Sequence, residues 1–484
     1  MSILAAASHL TTDSGDTAAI ASMHAAFSAQ RHAFAIDRAP SIAERQERVG
    51  KLIPMMLANR DRIAVALAQD FGAHPKGASD LIEVLGVVGR AQYVLANLET
   101  WMRPEPRETD AGLFGTGYAY VQLQPKGVIG NMVPWNFPFD LSVGPMIEML
   151  AAGNRVIVKP SEYAPACAEL LSKMVAETFD PALVHVVVGE QDLARAFAAM
   201  PWDHLLYTGS PNVGRLVMAA AAPNLTPVTL ELGGKCPALM APGSVTARNV
   251  ESIVGIKMIK SGQMCVSPDY AMVPRADLET FVAHAQAFMT RAAPDYARGP
   301  EATGIISLRH LDRIEALLQD AHDHQARVVP LEADPSADRA TRQMPMSLVI
   351  DPAPGLRLMD EEIFGPILPV VPYEDFDAAI ESINAGERPL GLYVFGEPVQ
   401  TDRVLALTHS GGVSVNACAL QGALPSMGFG GSGMSGMGRH HGIEGFREFS
   451  NPRGVVVRGT DDMIDAFYAP YAKATAIVDH LLAG

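Results

Sequence analysis

The sequence is poor in cysteine and in positive charge, and it has no long apolar run. Four cysteines occur in 484 residues, too few and too scattered for a disulfide framework. Lys and Arg number 37 against 53 Asp and Glu, a net charge of −16, which disfavours binding to nucleic acid or to anionic membranes. No run of about 18 apolar residues is present to span a bilayer. We therefore expect a cytoplasmic protein whose ligands are small molecules.

Several familiar site motifs are also missing. The spacings C-x-x-C, H-E-x-x-H and the EF-hand loop do not occur, so no metal site is predicted. The G-x-G-x-x-G dinucleotide loop is absent as well, so a nucleotide would have to be held by other glycines. Residues Met1 to Leu10 carry no positively charged leader, and no export signal is expected.

Short apolar runs alternate with helical stretches, which predicts an α/β protein with parallel sheets. The first hundred residues read as helices, with a capping box at Ser41 and Glu44 and a bend at Pro54. One helix is expected to end at Gly153. The expected strands are Val128–Val133, Val156–Val158, Leu183–Val188, Leu205–Tyr207, Val228–Leu230, Tyr270–Val273, Val328–Pro330, Leu348–Ile350, Leu368–Val371 and Gly412–Asn416. Two further segments, Tyr118–Gln124 and Gly454–Val457, are predicted to be edge strands used in subunit pairing.

Candidate ligand-binding residues follow the predicted strands. Gly209 and Gly214 flank the start of a helix, where N–H groups can face a phosphate, although tight turns also use glycine for steric reasons. Lys159 and Glu162 follow another strand and form either a ribose contact or a surface ion pair.

Two residues are candidates for chemistry. Glu231 ends a strand as a potential base, and Cys265 is a potential nucleophile. Taken alone, Cys265 is better read as a small buried hydrophobe, and Glu231 as a solvated carboxylate.

The ordered set of motifs resolves this ambiguity. Together the motifs closely resemble the aldehyde dehydrogenase superfamily over roughly residues 40 to 458. They are Val133-Pro-Trp-Asn-Phe-Pro138, Lys159-Pro-Ser-Glu162, Thr208-Gly-Ser210, Glu231-Leu-Gly-Gly-Lys235, Gly262-Gln-Met-Cys265, Glu362-Ile-Phe-Gly-Pro366 and Phe429-Gly-Gly-Ser-Gly433. Three further segments, Asn224–Lys235, Val266–Tyr270 and Gly438–Gly442, resemble the class 3 branch and, within it, the coniferyl aldehyde dehydrogenases.

The resemblance implies a reaction and its residues. Cys265 would attack the aldehyde carbon, Asn136 would stabilise the oxyanion, and Glu231 would activate the water that hydrolyses the thioester. The product would be a carboxylic acid, formed from an aromatic or phenylpropenyl aldehyde, or else from an aliphatic aldehyde, vanillin or benzaldehyde. The motifs also leave open a CoA-acylating dehydrogenase, which needs no such base, and a non-catalytic relative that keeps the fold.

The resemblance also implies the cofactor, which would be NAD or, as the second choice, NADP. Lys159 and Glu162 would contact the adenosine ribose. Gly209, Ser210 and Gly214 would lie near the pyrophosphate. Glu362 would hold the nicotinamide ribose, and Phe364 would pack beside the nicotinamide. Trp135 is a further cofactor-binding candidate.

The expected fold is that of aldehyde dehydrogenases, with two parallel-sheet α/β domains and a small β oligomerisation element. The expected cofactor domain comprises residues 1–110 and 127–233, the catalytic domain residues 234–433, and the oligomerisation element with the C-terminal tail residues 111–126 and 447–484. A homodimer is expected, with a tetramer as the second choice.

Four positions bear on the shape of the substrate pocket. Met264, Cys236 and Gly428 depart from the commoner family pattern without touching a catalytic group. Gly144 is read either as space for a bulky aryl aldehyde or as close helix packing.

Overall fold

The computed structural model describes residues 15–483. Residues 1–14 and Gly484 lie outside the described residues. The first range includes Met1 to Leu10, where no export signal is expected, and the start of the predicted cofactor domain.

The described strands are short, and most lie between helices. In chain order they are β1 (Glu105–Arg107), β2 (Tyr118–Pro125), β3 (Val128–Met132), β4 (Arg155–Lys159), β5 (Val184–Val186), β6 (His204–Gly209), β7 (Val228–Leu232), β8 (Pro237–Met240), β9 (Tyr270–Pro274), β10 (Arg327–Pro330), β11 (Ser347–Ile350), β12 (Ile367–Tyr373), β13 (Gly391–Phe395), β14 (Gly412–Val415), β15 (Gly436–Met437) and β16 (Ser450–Val457).

The helices are concentrated at the N-terminus and between the strands. They are α1 (Thr17–Ile36), α2 (Ile42–Gly50), α3 (Leu52–Ala58), α4 (Arg60–Phe71), α5 (Lys76–Ala78), α6 (Val87–Trp101), α7 (Ala111–Phe114), α8 (Asp140–Ala151), α9 (Pro165–Thr178), α10 (Gln191–Ala198), α11 (Pro211–Ala221), α12 (Ala247–Met258), α13 (Leu278–Ala292), α14 (Leu308–Asp323), α15 (Arg357–Asp360), α16 (Phe376–Ala385), α17 (Pro398–Leu407), α18 (Leu420–Ala423), α19 (Gly442–Glu448) and α20 (Ala472–Ala483). A π-helix, Ser79–Gly86, joins α5 to α6, and a 3-10 turn, Ile259–Gly262, follows α12.

Local sequence signals explain several helix ends. The capping box at the start of α2 is present, because the Ser41 N–H donates to Glu44 and the Glu44 N–H donates to the Ser41 hydroxyl. The predicted bend near Pro54 is a break between α2 and α3. The helix expected to end at Gly153 is α8, which ends at Ala151, with Gly153 in the left-handed region at φ +93°.

Two large sheets form the body of the described chain. The six-stranded sheet has the order β15-β7-β6-β3-β4-β5, and the seven-stranded sheet has the order β10-β11-β12-β9-β8-β13-β14. Most neighbours are parallel, but β15 and β10 are antiparallel edge strands. The α/β prediction is therefore confirmed, with mixed sheets in place of purely parallel ones. Strands β8 and β13 were missed because short, fully buried apolar segments carry no distinctive period.

The third sheet has three strands in the order β1-β2-β16. β2 pairs with β16 over its whole length, from Tyr118 opposite Val457 to Pro125 opposite Ser450. The prediction that both segments are edge strands is wrong for β2, because the short β1 covers its other side. β16 is an edge strand, and the short β1 is the other.

One helical segment, Lys76–Trp101, is long and apolar enough to cross a membrane by length and composition. It packs instead against α2, α3 and α8. It also carries two buried charged side chains, Glu83 and Arg90, each in an ion pair. These are the features of a core helix.

The strand order of the six-stranded sheet reverses between β3 and β6. From β3 the chain proceeds to β4 and β5 on one side, and then to β6 and β7 on the other. In open α/β sheets, ligands bind outside the carboxyl ends of the strands at such a point. The segments that follow β3 and β6 contain Trp135, Asn136 and Ser210.

Candidate functional site

A cavity of about 550 Å³ lies at this reversal point. It brings together eight of the residues predicted from sequence: Trp135, Asn136, Gly209, Ser210, Glu231, Cys265, Glu362 and Phe364. Three other predicted residues, Lys159, Glu162 and Gly214, do not line it. The cavity walls are mainly apolar, so polar groups inside it are few and specific.

Cys265 follows a run of left-handed backbone. Lys260, Ser261 and Gly262 have φ values of +47°, +52° and +76°, and the first two are strained because they carry side chains. Ser261 is held by its hydroxyl, which donates to the Thr303 carbonyl at 2.6 Å. At Gly262 a Cβ would lie 2.3 Å from the Gly365 carbonyl oxygen. Only glycine fits this position.

The Cys265 thiol is half-buried and lines the cavity. Burial is the largest effect on its pKa and, with the nearby carboxyl groups of Glu362 and Glu231, raises it to about 12. Behind it, the Cys236 thiol donates to the Cys265 carbonyl at 3.3 Å and accepts from the Gly391 N–H at 3.2 Å. Cys236 thus contacts the backbone of Cys265, and none of these hydrogen bonds involves the Cys265 thiol. Sequence spacing carries no sign of this contact between a strand end and a distant loop.

Asn136 lies in the turn after β3, and its side chain is buried. Its Nδ2 donates to the backbone carbonyl of Gln263 at 3.3 Å. The Gln263 side chain in turn donates to the carbonyls of Lys260 and Gly304 and accepts from the Ile306 N–H. The amide of Asn136 is thus joined directly to the loop that carries Cys265.

Glu231 is the penultimate residue of β7 and pairs with Thr208 of β6 on one side and Gly436 of β15 on the other. Its carboxyl group is 2% exposed, and neither oxygen has a hydrogen-bond partner among residues 15–483. Burial raises its pKa well above the ordinary value, although the Arg439 guanidinium acts in the opposite direction. A Cβ at Gly430 would lie 3.0 Å from Glu231 Oε1, so the absent side chain there leaves room for the carboxyl group.

Glu362 faces the same cavity from the segment before β12. A Cβ at Gly233 would lie 2.1 Å from its Oε2, so the close approach requires glycine. Burial, with Asp269 nearby, raises the Glu362 pKa to about 8. Arg313 donates to the Glu362 carbonyl at 3.3 Å and also to the Ile363 carbonyl, which fixes this segment.

Aromatic rings form one wall near Glu362. The rings of Trp135 and Phe364 meet edge to face, with centroids 5.4 Å apart, and Trp135 also meets His310 at 5.2 Å. His310 and Arg313 line the cavity from α14 but were not predicted. Both residues lie on a helix that begins after the N-cap Ser307. The cap predicts the helix but not that the helix lines a binding site.

Lys159 and Glu162 form an ion pair of 2.7 Å at the carboxyl end of β4. Lys159 is nearly buried, whereas the Glu162 side chain is 30% exposed. Gly214 packs α11 against β7, since a Cβ there would lie 2.8 Å from Leu232 Cδ2. The steric reading of that glycine is thus the better supported one.

These residues fit a nicotinamide dinucleotide. Ser210 caps the N-terminus of α11, and Thr208, Gly209 and Ser210 open that end toward the cavity. A helix N-terminus favours a phosphate group. Glu362 offers a carboxylate for ribose hydroxyls, and the Trp135–Phe364 wall offers apolar surface to the ring.

Two histidines that were not predicted from the sequence also line the cavity. His440 and His441 are buried, line the cavity, and stand with ring centroids 4.3 Å apart. Burial lowers the pKa of His440 to about 3 and that of His441 well below its ordinary value. Both imidazoles are therefore neutral. They lie within the Gly438–Gly442 segment, whose composition gave no hint of its position.

The structure supports the packing reading of Gly144 and places Gly428 outside the cavity. A Cβ at Gly144 would lie 1.9 Å from Arg90 Nη1, and Gly144 does not line the cavity. This glycine serves close helix packing and opens no space for substrate. At Gly428 a Cβ would meet Glu444 at 2.7 Å, again outside the cavity, whereas Met264 does line it.

The pattern of the aldehyde dehydrogenase family matches residues 6–455. The chain belongs to that family. It is 40% identical over 432 residues to a probable coniferyl aldehyde dehydrogenase of Caulobacter vibrioides, covering 88% of this chain and 89% of the relative. It is 34% identical over 455 residues to aldehyde dehydrogenase family 3 member F1 of Arabidopsis thaliana, covering 91% of each.

Solved structures agree with this assignment. The Staphylococcus aureus AldH structure in a substrate-bound state superposes with a TM-score of 0.89 at 29% identity, covering 95% of this chain and 99% of that one. A Mycobacterium tuberculosis aldehyde dehydrogenase complexed with NAD+ superposes with a TM-score of 0.82 at 28% identity, covering 90% of each. The predicted superfamily, class 3 branch and fold are confirmed.

This aldehyde dehydrogenase is accordingly an oxidoreductase that uses NAD(P) to oxidise an aldehyde substrate. Within residues 15–483, no group of three or more His, Cys, Asp or Glu side chains is placed to hold a metal ion.

Proposed function

We propose that this enzyme oxidises an aromatic or phenylpropenyl aldehyde of the coniferaldehyde type to its carboxylic acid, with NAD preferred over NADP. The observation that carries the proposal is the cavity that joins Cys265, Asn136 and Glu231 to apolar walls and a neutral histidine pair. An aryl ring suits such walls, and a neutral imidazole can donate to or accept from a ring hydroxyl. The named Caulobacter relative supports the same substrate class.

Cys265 is the proposed nucleophile. Its thiolate attacks the aldehyde carbon and forms a thiohemiacetal. The carbonyl oxygen gains negative charge, and the Asn136 side-chain amide and the Cys265 N–H donate to it. Bound NAD(P) supplies an acceptor for the hydride that leaves this carbon. A thioester on Cys265 remains.

Glu231 is the proposed base for hydrolysis of that thioester. It takes a proton from water, the resulting hydroxide attacks the thioester carbon, and the carboxylic acid leaves as the Cys265 thiolate is restored. Because burial raises its pKa, Glu231 can act only after it ionises. We therefore expect kcat to rise with pH as Glu231 ionises, when deacylation limits turnover.

Glu231→Gln tests this step. The variant should release about one equivalent of NADH in a burst and then turn over about 10²- to 10⁴-fold more slowly, because the acyl-enzyme accumulates without a base. Rapid-mixing absorbance of NADH measures both phases. Loss of the burst would contradict a role confined to hydrolysis.

For the cofactor, we propose that Lys159 and Glu162 contact the adenosine ribose and that Gly209 and Ser210 lie at the pyrophosphate end, where Gly214 serves only to pack α11 against β7. Trp135, Glu362 and Phe364 are proposed to hold the nicotinamide riboside. The Glu162 carboxylate would repel a 2′-phosphate, which supports NAD over NADP.

We also propose a cytoplasmic homodimer, with the domain boundaries expected from the sequence. The exposed three-stranded sheet, β1-β2-β16, supports a pairing element. Its outward positions include Tyr118 and Val456, which are 56% and 61% exposed.

The deciding experiment compares kcat/KM for coniferaldehyde, vanillin, benzaldehyde and straight-chain aldehydes, with NAD and NADP run in parallel. A preference of about 100-fold for coniferaldehyde equals about 2.7 kcal/mol of discrimination and would support the substrate class. A flat profile or an aliphatic preference would reject that class. Cys265→Ser should abolish acid formation, whereas Cys167→Ser, in α9 outside the cavity, is the matched control that should retain it.

A further inference from the structure

A buried ion pair, Glu83 with Lys260, lies behind the candidate oxyanion site. The two side chains are 0% and 1% exposed, and Lys260 Nζ lies 2.5 Å from Glu83 Oε1. Glu83 belongs to the π-helix Ser79–Gly86, while Lys260 lies in the turn before Cys265. The pair therefore joins two segments that are 177 positions apart in the chain.

Lys260 also contacts the turn that carries Asn136. Its Nζ donates to the Asn136 backbone carbonyl. The same ammonium group lies 4.2 Å from the ring centroid of Phe137 and 4.9 Å from that of Phe71. Its charge is thus met by one carboxylate, one carbonyl and two aromatic faces.

Glu83 holds the other end of the same turn. Its Oε2 accepts from the N–H groups of Phe139 and Asp140, at 3.0 and 2.9 Å. These N–H groups begin α8, so the carboxylate anchors the helix start. Between the two anchors lies the segment 136–140, with the Asn136 amide at its beginning.

The backbone conformation of Lys260 indicates that its contacts hold it in place against a local preference. Its φ of +47° is unfavourable for a residue with a side chain and needs surrounding contacts to hold it. A buried ion pair is a weak source of stability, because desolvation offsets the attraction. A role in fixing geometry explains its presence better than a role in stability.

We infer that Glu83 and Lys260 are positioning residues that fix the Asn136 amide relative to Cys265. Lys260 binds the Asn136 carbonyl, and Glu83 binds the N–H groups at the end of the same turn. The two contacts fix the backbone of the turn and so restrict the orientation of the Asn136 side-chain amide. The inference rests on the proposed role of Asn136 as oxyanion donor. Neither residue lines the cavity, so each acts through Asn136 and not on the substrate.

The test is a double-mutant cycle between Lys260→Met and Asn136→Ala. With Asn136 intact, Lys260→Met should lower kcat for aldehyde oxidation about 10- to 100-fold, with less than about threefold change in KM for NAD. In the Asn136→Ala background the same substitution should lower kcat by less than about threefold, because the group it positions is gone.

Equal fold losses in the two backgrounds would overturn the inference and leave the proposed function standing. If Asn136→Ala does not lower kcat, the oxyanion role of Asn136 fails and the positioning role fails with it. An unchanged kcat in Lys260→Met would also overturn the inference.

Two further variants separate positioning from simple destabilisation. Glu83→Gln combined with Lys260→Met removes both charges and leaves an oxygen to accept from Phe139 and Asp140, so it should fold and still show the kcat loss. Arg48 lies on α2 outside the cavity, and Arg48→Met removes its partly buried ion pair with Asp37. It should lower the melting temperature with kcat unchanged. A kcat loss in Arg48→Met equal to that in the double variant would assign the effect to destabilisation.

Discussion

At the scale of single residues, burial is the main cause of the raised pKa values of three glutamates. Glu231 and Glu148 are buried and Glu362 is half-buried, and all three carboxyl groups have raised pKa values. Glu231 and Glu362 line the cavity, and Glu148 lies outside it on α8. In each case loss of hydration disfavours the charged form. Residue type alone could not reveal this, since most carboxylates of a chain with 53 acidic residues are solvated.

Glu148→Gln should make stability less sensitive to pH. Burial raises the Glu148 pKa from 4.5 to about 7. The folded state thus binds this proton more tightly, so the contribution to stability is complete below pH 4.5 and is lost as pH rises through 7. The loss amounts to about 3 kcal/mol. Glutamine stays neutral and has a similar shape, so it avoids this loss.

Urea unfolding at about pH 4.5 and about pH 8 checks the prediction. The variant should match the parent enzyme at the lower pH and exceed its free energy of unfolding by up to about 3 kcal/mol at the higher pH. A variant that is less stable at the higher pH would show that the Glu148 carboxylate is stabilised by charge contacts that outweigh its burial.

At the scale of elements, the segment between α12 and β9 carries the nucleophile in an uncommon backbone path. Three successive left-handed residues, Lys260 to Gly262, precede Cys265. Sequence motifs predicted Cys265 and the glycine before it, but not the left-handed conformation of Lys260 and Ser261. Their φ values depend on partners from other elements, Glu83 and Thr303, and such long-range contacts leave no local pattern.

Gly262→Ala should damage this path. The new Cβ would meet the Gly365 carbonyl at 2.3 Å in a residue with φ +76°. We expect a loss of about 1–3 kcal/mol in the free energy of unfolding. Displacement of Cys265 should lower kcat by about 100-fold.

Gly255→Ala in α12 is the matched control. Its nearest foreign atom would be Phe288 Cζ at 3.8 Å, an ordinary contact. Alanine in a helix interior should raise stability by about 0.5–1 kcal/mol and leave kcat unchanged. Chemical denaturation and steady-state rates measure both variants, and equal behaviour of the two would contradict the backbone argument.

At the scale of the whole molecule, two segments far apart in sequence create one exposed surface. β2 and β16 pair along their full lengths although residues Gln122 and Arg453, which meet across the pair, are 331 positions apart. The sequence predicted both strands, but their mutual pairing, and the central place of β2, depend on β1 and on the packing of α19 against α6 and α8. The sheet leaves β16 with a free edge inside the described chain.

Val456→Arg should weaken the proposed dimer. Val456 is 61% exposed on β16, and a buried arginine without a partner opposes association. Analytical ultracentrifugation should find the parent at twice the chain mass and the variant shifted toward one chain mass. Val399→Arg on α17, at a residue 78% exposed, is the control and should remain dimeric. A parent enzyme of one chain mass would reject the dimer.

The sequence by itself determined the family, the α/β class and the candidate residues Cys265, Glu231 and Asn136, because each lies in a short contiguous motif whose chemistry is local. Only the tertiary structure decided which of these side chains are buried, that Gly144 packs against Arg90, and that His440 and His441 face the cavity. It also decided the pairing of Glu83 with Lys260. Burial, pKa and ion pairing arise from atoms contributed by segments far apart in the chain, and no local motif specifies which segments will meet.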